Sequence, residues 1–219
     1  MVEAQHVVST AKLVDTRDEQ ELLEEIIETS KPPVPPEAAG LDFLLFSPFR
    51  YDTRPPDGSR FRSVTDPGVF YAAETVRTAA AEVAYWRWRF LQDSEGLVRL
   101  HPCPFTAFRV PIATNAVDLR VPPFDRDASA WTHPSDYSAT QNFGRAARSA
   151  GVGAIVYLSV RDTESHSCTA VLTPLAFAAR KPDNATQTWL LAISTEEAIW
   201  MRQGGDGFSF RTSVWANAD

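Results

Sequence analysis

Apolar residues near the start of the chain recur with a helical period: Leu22, Leu23, Ile26 and Ile27 stand three and four positions apart, which places them on one face of a helix. Thr16-Arg17-Asp18-Glu19 lies just ahead of them. A threonine followed three residues later by glutamate is a capping box, in which each side chain satisfies an orphaned backbone donor, so a helix is predicted over 17–30. Lys31-Pro32-Pro33-Val34-Pro35-Pro36 stops it, because proline lacks the backbone donor and holds the preceding residue extended. The proline run reads as a stiff connector between an N-terminal helical arm, residues 1–40, and a main body, residues 41–219.

Beyond the connector the pattern alternates between short apolar runs and turns. Leu41–Phe49 is an apolar stretch, Tyr51–Gly58 is polar and turn-rich, and Val69-Phe70-Tyr71-Ala72 reads as a short strand. A central helix is predicted from a Thr75 cap to about Asp93, with Ala79, Glu82, Val83, Trp86 and Phe90 at three- and four-residue steps. Strands are predicted at about 105–113 and 115–120, then a helix from Ser135 to Ala150 closed by Gly151 as a left-handed cap. Ala154–Val160 is branched and apolar, as a buried strand is, and further strands are predicted at about 168–173, 187–194, 198–202 and 207–213. The class is mixed α+β with most strands late in the chain.

Composition narrows the function classes. At 219 residues, 44% hydrophobic and 22% charged, the chain suits one compact globular domain, or one domain with an N-terminal extension. No run approaches the ~18–20 apolar residues of a membrane span, and Met1–Lys12 lacks the regions of a signal peptide, so a soluble cytoplasmic protein is expected. Cys103 and Cys168 are isolated and His6, His101, His133 and His166 are scattered, so neither a disulfide framework nor a metal site is expected. A net charge of -7 and a pI near 5.1 lack the footprint of a nucleic-acid binder. Arg50, Arg54, Arg60 and Arg62 nonetheless cluster within thirteen residues, a concentration of positive potential suited to a small anion.

Four polar residues stand out against the apolar scaffold. Glu82, within an alanine and aromatic stretch of helix, is either half-buried or turned to solvent. Ser159 interrupts a strand, where a buried hydroxyl needs a partner, whether a neighbouring backbone group or a ligand; no Gly-x-Ser-x-Gly elbow surrounds it. Arg60 follows a turn, either solvated or placed to grip a phosphate with two parallel bonds. Tyr71 offers a flat ring to a planar heterocycle, or belongs to the core with its hydroxyl satisfied at the edge.

Taken in order, Gly58-Ser59-Arg60-Phe61-Arg62, Val69–Thr75, Thr78–Glu82 and Ile155–Arg161 resemble the blocks of the RES domain, a family named for an arginine, a glutamate and a serine. The resemblance extends through Ser47–Tyr51 and Asp136–Gln141 and covers about 45–175. It implies an ADP-ribosyltransferase-like α+β fold with a mainly antiparallel sheet, and a toxin of a toxin–antitoxin pair that breaks the nicotinamide–ribose bond of NAD. By resemblance the family's arginine is Arg60, its tyrosine Tyr71, its glutamate Glu82 and its serine Ser159, with Arg50 a second arginine for which Arg62 is the alternative. Glu82 would then stabilise the positive charge that develops on the ribose as nicotinamide departs. Arg60, helped by Arg50, would hold the pyrophosphate, Tyr71 would pack on a ring, and Ser159 would bond to ribose or the nicotinamide amide.

The resemblance further implies NAD as substrate with no metal or other cofactor, phosphate as a candidate co-substrate, and a cognate Xre-type antitoxin that blocks the pocket, with no direct nucleic-acid contact and no membrane. A hetero-oligomer with the antitoxin is expected and a homodimer left open. Two other readings stand beside NAD destruction: transfer of ADP-ribose to a protein, and a non-catalytic module assembling through the apolar face of the arm. A two-carboxylate glycosidase is disfavoured, because Glu74 and Glu82, read as two turns of one helix, stand about 12 Å apart.

Overall fold

The computed structural model describes residues 1–4, 13–51 and 58–216; His6, and residues 52–57 with Arg54 among them, lie outside the described residues. In chain order the elements are β1 (Val2–Glu3), α1 (Arg17–Ser30), α2 (Phe43–Arg50), β2 (Phe70–Ala73), α3 (Val76–Gln92), β3 (Arg99–Ala107), β4 (Ala116–Asp118), α4 (Ala128–Trp131) and α5 (Ser138–Ser149), followed by β5 (Ala154–Leu158), β6 (Ser167–Val171), β7 (Gln187–Ser194), β8 (Glu197–Arg202), β9 (Gly207–Arg211) and α6 (Ser213–Ala216). The fold is α+β, as the alternation of patterns predicts.

The strands form two sheets, one of order β1-β3-β7-β8-β9 and one of order β2-β6-β5-β4. Every pairing is antiparallel except β4 with β5. The first residues of the predicted arm thus join the body, with Val2 opposite Thr106 and Glu3 opposite Phe105. Among the described residues no helix is long and apolar enough to cross a membrane.

α3 lies against both sheets, touching β3, β7 and β8 of the larger and β2 and β6 of the smaller. Its sequence explains why it can. Ala80, Ala81 and Ala84 are wholly buried, and these small side chains let the backbone approach both layers, while Trp88 and Leu91 fill the space above Phe105, Trp189, Leu191 and Trp200. Full burial of a Leu or Phe side chain stabilises the fold by about 1.5–3 kcal/mol. The same helix therefore carries the core and holds Glu82 near the edge of the smaller sheet.

α1 forms where predicted. Thr16 Oγ1 accepts from the Glu19 backbone N–H at 3.2 Å, and the Glu19 carboxylate accepts from the backbone of Asp15 and Thr16. No residue of α1 is buried. The apolar stretch after the connector folds as α2, capped by Asp42, whose carboxylate accepts from the Leu44 N–H at 3.0 Å.

Two elements differ from the pattern-based expectation by three residues or more. The strand expected over 105–113 is instead 99–107: Pro102 and Pro104 mask its alternation, the register shifts between Leu100 and Cys103, and beyond Ala107 only an isolated bridge joins Ile112 to Phe177. The helix expected from Ser135 starts at Ser138, because His133 Nδ1 accepts from the Asp136 N–H at 2.8 Å and holds the preceding residues in a turn.

Candidate active site

The smaller sheet, α3 and the turn after Gly58 enclose a cavity of about 400 Å³ whose lining includes Arg60, Tyr71, Glu82, Trp86, Tyr157 and Cys168. Glu82 and Trp86 come from α3 and the other four from four separate segments, so the site is a product of the topology. Glu82 projects from the middle of α3 and is half-buried. Tyr157 and Cys168 face each other across β5 and β6.

Ser159 lies just past β5, and its backbone N–H pairs with the His166 carbonyl at 3.0 Å. Its Oγ is 2.6 Å from Glu82 Oε1 and accepts from the backbone N–H groups of Arg161 and Asp162, both at 3.2 Å. A serine hydroxyl has one proton and two lone pairs. With both lone pairs engaged by donors, the one proton points at Glu82. Ser159 is thus fully satisfied, only 7% exposed, and not part of the cavity wall. In this geometry Ser159 is placed to position Glu82.

The loop that presents those two N–H groups is itself fastened to α3. The buried Asp162 carboxylate accepts from Thr78 Oγ1 at 2.8 Å, and Arg77 Nε stands 3.4 Å from it. Arg161, 2% exposed, lies with its guanidinium carbon 3.4 Å from the Tyr85 ring centroid, and its carbonyl accepts from Trp215 Nε1 at 3.0 Å. Glu82 and the group that orients it therefore hang on one helix.

Arg60 sits at a tight turn closed by Ser59 N–H to the Arg62 carbonyl at 2.7 Å and Arg62 N–H to the Ser59 carbonyl at 3.1 Å. Gly58 has φ +71°, and a Cβ there would fall 2.2 Å from the Arg62 carbonyl oxygen, so the turn requires glycine. Arg60 Nη1 donates to the carbonyls of Trp131 and His133, each at 2.9 Å, and the guanidinium lies 4.7 Å from the Tyr137 ring centroid. Nε and Nη2 have no hydrogen-bond partner among the described residues. Arg60 and Glu82 are the cationic and the acidic side chain among the described residues of the cavity wall.

Tyr71 presents its ring to the cavity while its hydroxyl is enclosed, 2.8 Å from Ser59 Oγ and accepting from the Phe61 N–H at 3.0 Å. That enclosure pushes the phenol above its ordinary value, and burial raises Tyr157 further. Cys168 Sγ is 3.8 Å from Glu82 Oε1, and burial, with the nearby carboxylate, drives its thiol far above the ordinary cysteine value.

Arg50 is placed elsewhere. Its guanidinium pairs with Glu28 Oε1 at 2.6 Å and donates to the Pro32 carbonyl at 2.6 Å, so it clamps the arm to α2 and is not among the residues that line the cavity with Arg60. Arg62 does not replace it, since Arg62 Nε donates to the Asp66 carbonyl at 3.0 Å. Glu74 also differs from expectation. It precedes α3 and its carboxylate accepts from Ser167 N–H and Oγ at 3.2 and 2.9 Å, so it shares no helix with Glu82. Tyr137 and Trp86, unmarked as site residues by sequence reasoning, both line the cavity. Among the described residues no group of three or more His, Cys, Asp or Glu side chains is arranged to hold a metal ion.

A family model described as RES domain matches residues 34–194, more than half of the chain. The chain belongs to the RES domain family. The matched span of the RES domain begins inside the proline connector and includes Arg60, Tyr71, Glu82 and Ser159. No curated protein matches the chain.

Proposed function

We propose that this RES domain protein cleaves the nicotinamide–ribose bond of NAD. The observation that carries the reading is the pairing of one carboxylate, Glu82, oriented by Ser159 at 2.6 Å, with one cation, Arg60, on the wall of a single cavity. The bond that breaks joins C1′ of the ribose to the nicotinamide nitrogen. Its electron pair leaves with nicotinamide, which departs neutral, and positive charge develops on the ribose. A carboxylate beside C1′ stabilises that charge, most strongly in the transition state. Arg60 contributes by gripping the diphosphate with its remaining donors, which fixes the ribose against Glu82. The Tyr71 ring packs on the nicotinamide. An oxygen of water or phosphate then bonds to C1′, water releasing a proton, to give ADP-ribose or its phosphorylated form.

In this reading the protein is the toxin of a toxin–antitoxin pair, depleting NAD and arresting growth until an Xre-type antitoxin covers the cavity. The test is to incubate the purified chain with NAD, with and without phosphate, and to follow nicotinamide and the ADP-ribose product, with Glu82→Gln as control. Nicotinamide release by the parent and not by the variant is expected, and a phosphate requirement names the acceptor. Absence of release from a folded, antitoxin-free sample overturns NAD destruction and leaves protein-directed transfer or a non-catalytic module.

A further inference from the structure

The Glu82 cavity continues on two sides. Towards Met1 it meets a second cavity of about 410 Å³, bordered by Glu74, Arg109 and Asp183. On the other side it shares Gly58, Trp86 and Tyr137 with a groove of about 740 Å³ that runs along the outer face of α3. A dinucleotide bound with its nicotinamide riboside at Glu82 must send its adenylate half one way or the other.

We propose that the groove walled by Trp86, Phe90 and Tyr137 is the subsite for the adenine nucleoside half of the dinucleotide, an inference that rests on the NAD reading above. Arg60 decides the direction. Its guanidinium lies over Tyr137, 4.7 Å from the ring centroid, and Tyr137 lines both the Glu82 cavity and the groove but not the cavity towards Met1. A diphosphate held at Arg60 therefore leads from Glu82 to Tyr137 and into the groove. The alternative route passes Glu74, Arg109 and Asp183 and lacks Tyr137, the ring on which the Arg60 guanidinium lies.

The groove wall has the chemistry of a base platform. Trp86 and Phe90 are 52% and 56% exposed, although the other face of α3 is packed into the core, and four residues apart on a helix they are neighbours on one face. Exposed aromatic faces stack on a planar base, and such stacking tolerates the lack of further hydrogen bonds. The groove also carries Asp93 and Asp136 beside Arg89, and a carboxylate there can accept from the exocyclic amine of the neutral base.

The experiment uses the full chain as the parent and as Trp86→Ala, Phe90→Ala and Phe90→Tyr, with AMP titrated by calorimetry and NAD cleavage followed in parallel. Because AMP lacks the nicotinamide riboside, its affinity reports this subsite independently of the chemistry. The expected result is AMP binding by the parent, about tenfold or more weaker in both alanine variants and kept in Phe90→Tyr, with KM for NAD rising in step. AMP binding that is equal in all four proteins, or absent from the parent up to millimolar concentration, overturns the subsite. So does a parent whose self-association is abolished by the alanine substitutions while its AMP affinity is not, since a second copy then covers the aromatics. If the parent cleaves no NAD yet AMP binds and weakens as stated, the subsite stands and the NAD-cleavage reading alone fails.

Discussion

Replacing Ser159 with alanine removes one oxygen, and the structure specifies what that oxygen does. The change deletes the 2.6 Å bond to Glu82 and strips the Arg161 and Asp162 N–H groups of their acceptor. A hydrogen bond to a charged partner contributes about 1.5–3 kcal/mol. If that contribution is realised at the transition state, where the Glu82 carboxylate is needed in one orientation, kcat falls about ten- to a hundred-fold at ~1.4 kcal/mol per decade. Ser159 is absent from the cavity wall, so KM is expected to stay within about twofold, the signature of an interaction that matters only as the reaction proceeds. Orphaned buried donors cost about 1–3 kcal/mol, and a chain of this size loses ~2–4 °C in Tm per kcal/mol. Nicotinamide release against NAD concentration gives kcat and KM, and a thermal melt gives the stability. In a Glu82→Gln background the same substitution is expected to cost little further activity, because the two residues act as a unit. A tenfold rise in KM at constant kcat refutes the argument, since it means that the hydroxyl touches the substrate itself.

Four further outcomes follow from packing, burial and the clamp on the arm. Gly144→Ala, which helix propensity alone would favour by about 1 kcal/mol, is expected to lower Tm, because the new Cβ would sit 2.7 Å from the Phe61 carbonyl oxygen in the turn that presents Arg60; a rise in Tm shows that α5 does not pack there. Burial and Glu3 push the Cys103 thiol up to about 11, and Cys168 is raised further still, so at pH 8 iodoacetamide is expected to leave both unmodified in the native protein, with rapid labelling by mass spectrometry counting against the enclosure. Arg50→Ala is expected to speed proteolytic cutting between α1 and α2 while KM for NAD stays within about twofold. In the parent the same clamp weakens with acid: hydrogen bonds from Lys31 and Arg50 hold Glu28 below its ordinary value of 4.5, so its contribution is present above that value and is lost as pH falls through the lowered one. Cutting that does not increase in acid contradicts it.

How much could be read in advance divides by range of interaction. α1, α3 and β7 fall where periodicity and caps put them, because a capping box, a threonine cap and a run of apolar strand residues are local signals. β3 is displaced because Pro102 and Pro104 hide its alternation, and its place in the sheet depends on β7, more than eighty residues later. Neither the sheet order nor the pairing of Val2 and Glu3 with β3 has any signature in the chain.

The site divides in the same way. Residue types and motif order mark Arg60, Tyr71, Glu82 and Ser159, since each is a polar group in an apolar context, but their roles come from distances. Arg50 shows the limit most clearly. An arginine ten positions from Arg60 in a basic cluster looks like a second anion ligand, yet Glu28 sits within 2.6 Å and takes its charge. Ser159 shows the converse: an apparent ligand hydroxyl is saturated by two backbone N–H groups, donors that no side-chain pattern can reveal. The exposed aromatic pair on α3 was visible as a spacing, Trp86 and Phe90 one turn apart, but reads as ordinary amphipathic patterning until the groove beside it is known. A carboxylate that must hold one orientation is thus fixed through a serine, the serine through a loop, and the loop through Asp162 to the helix that bears the carboxylate. That closed circuit predicts that breaking it at Thr78, which is buried behind the cavity wall, lowers kcat in the same direction as Ser159→Ala.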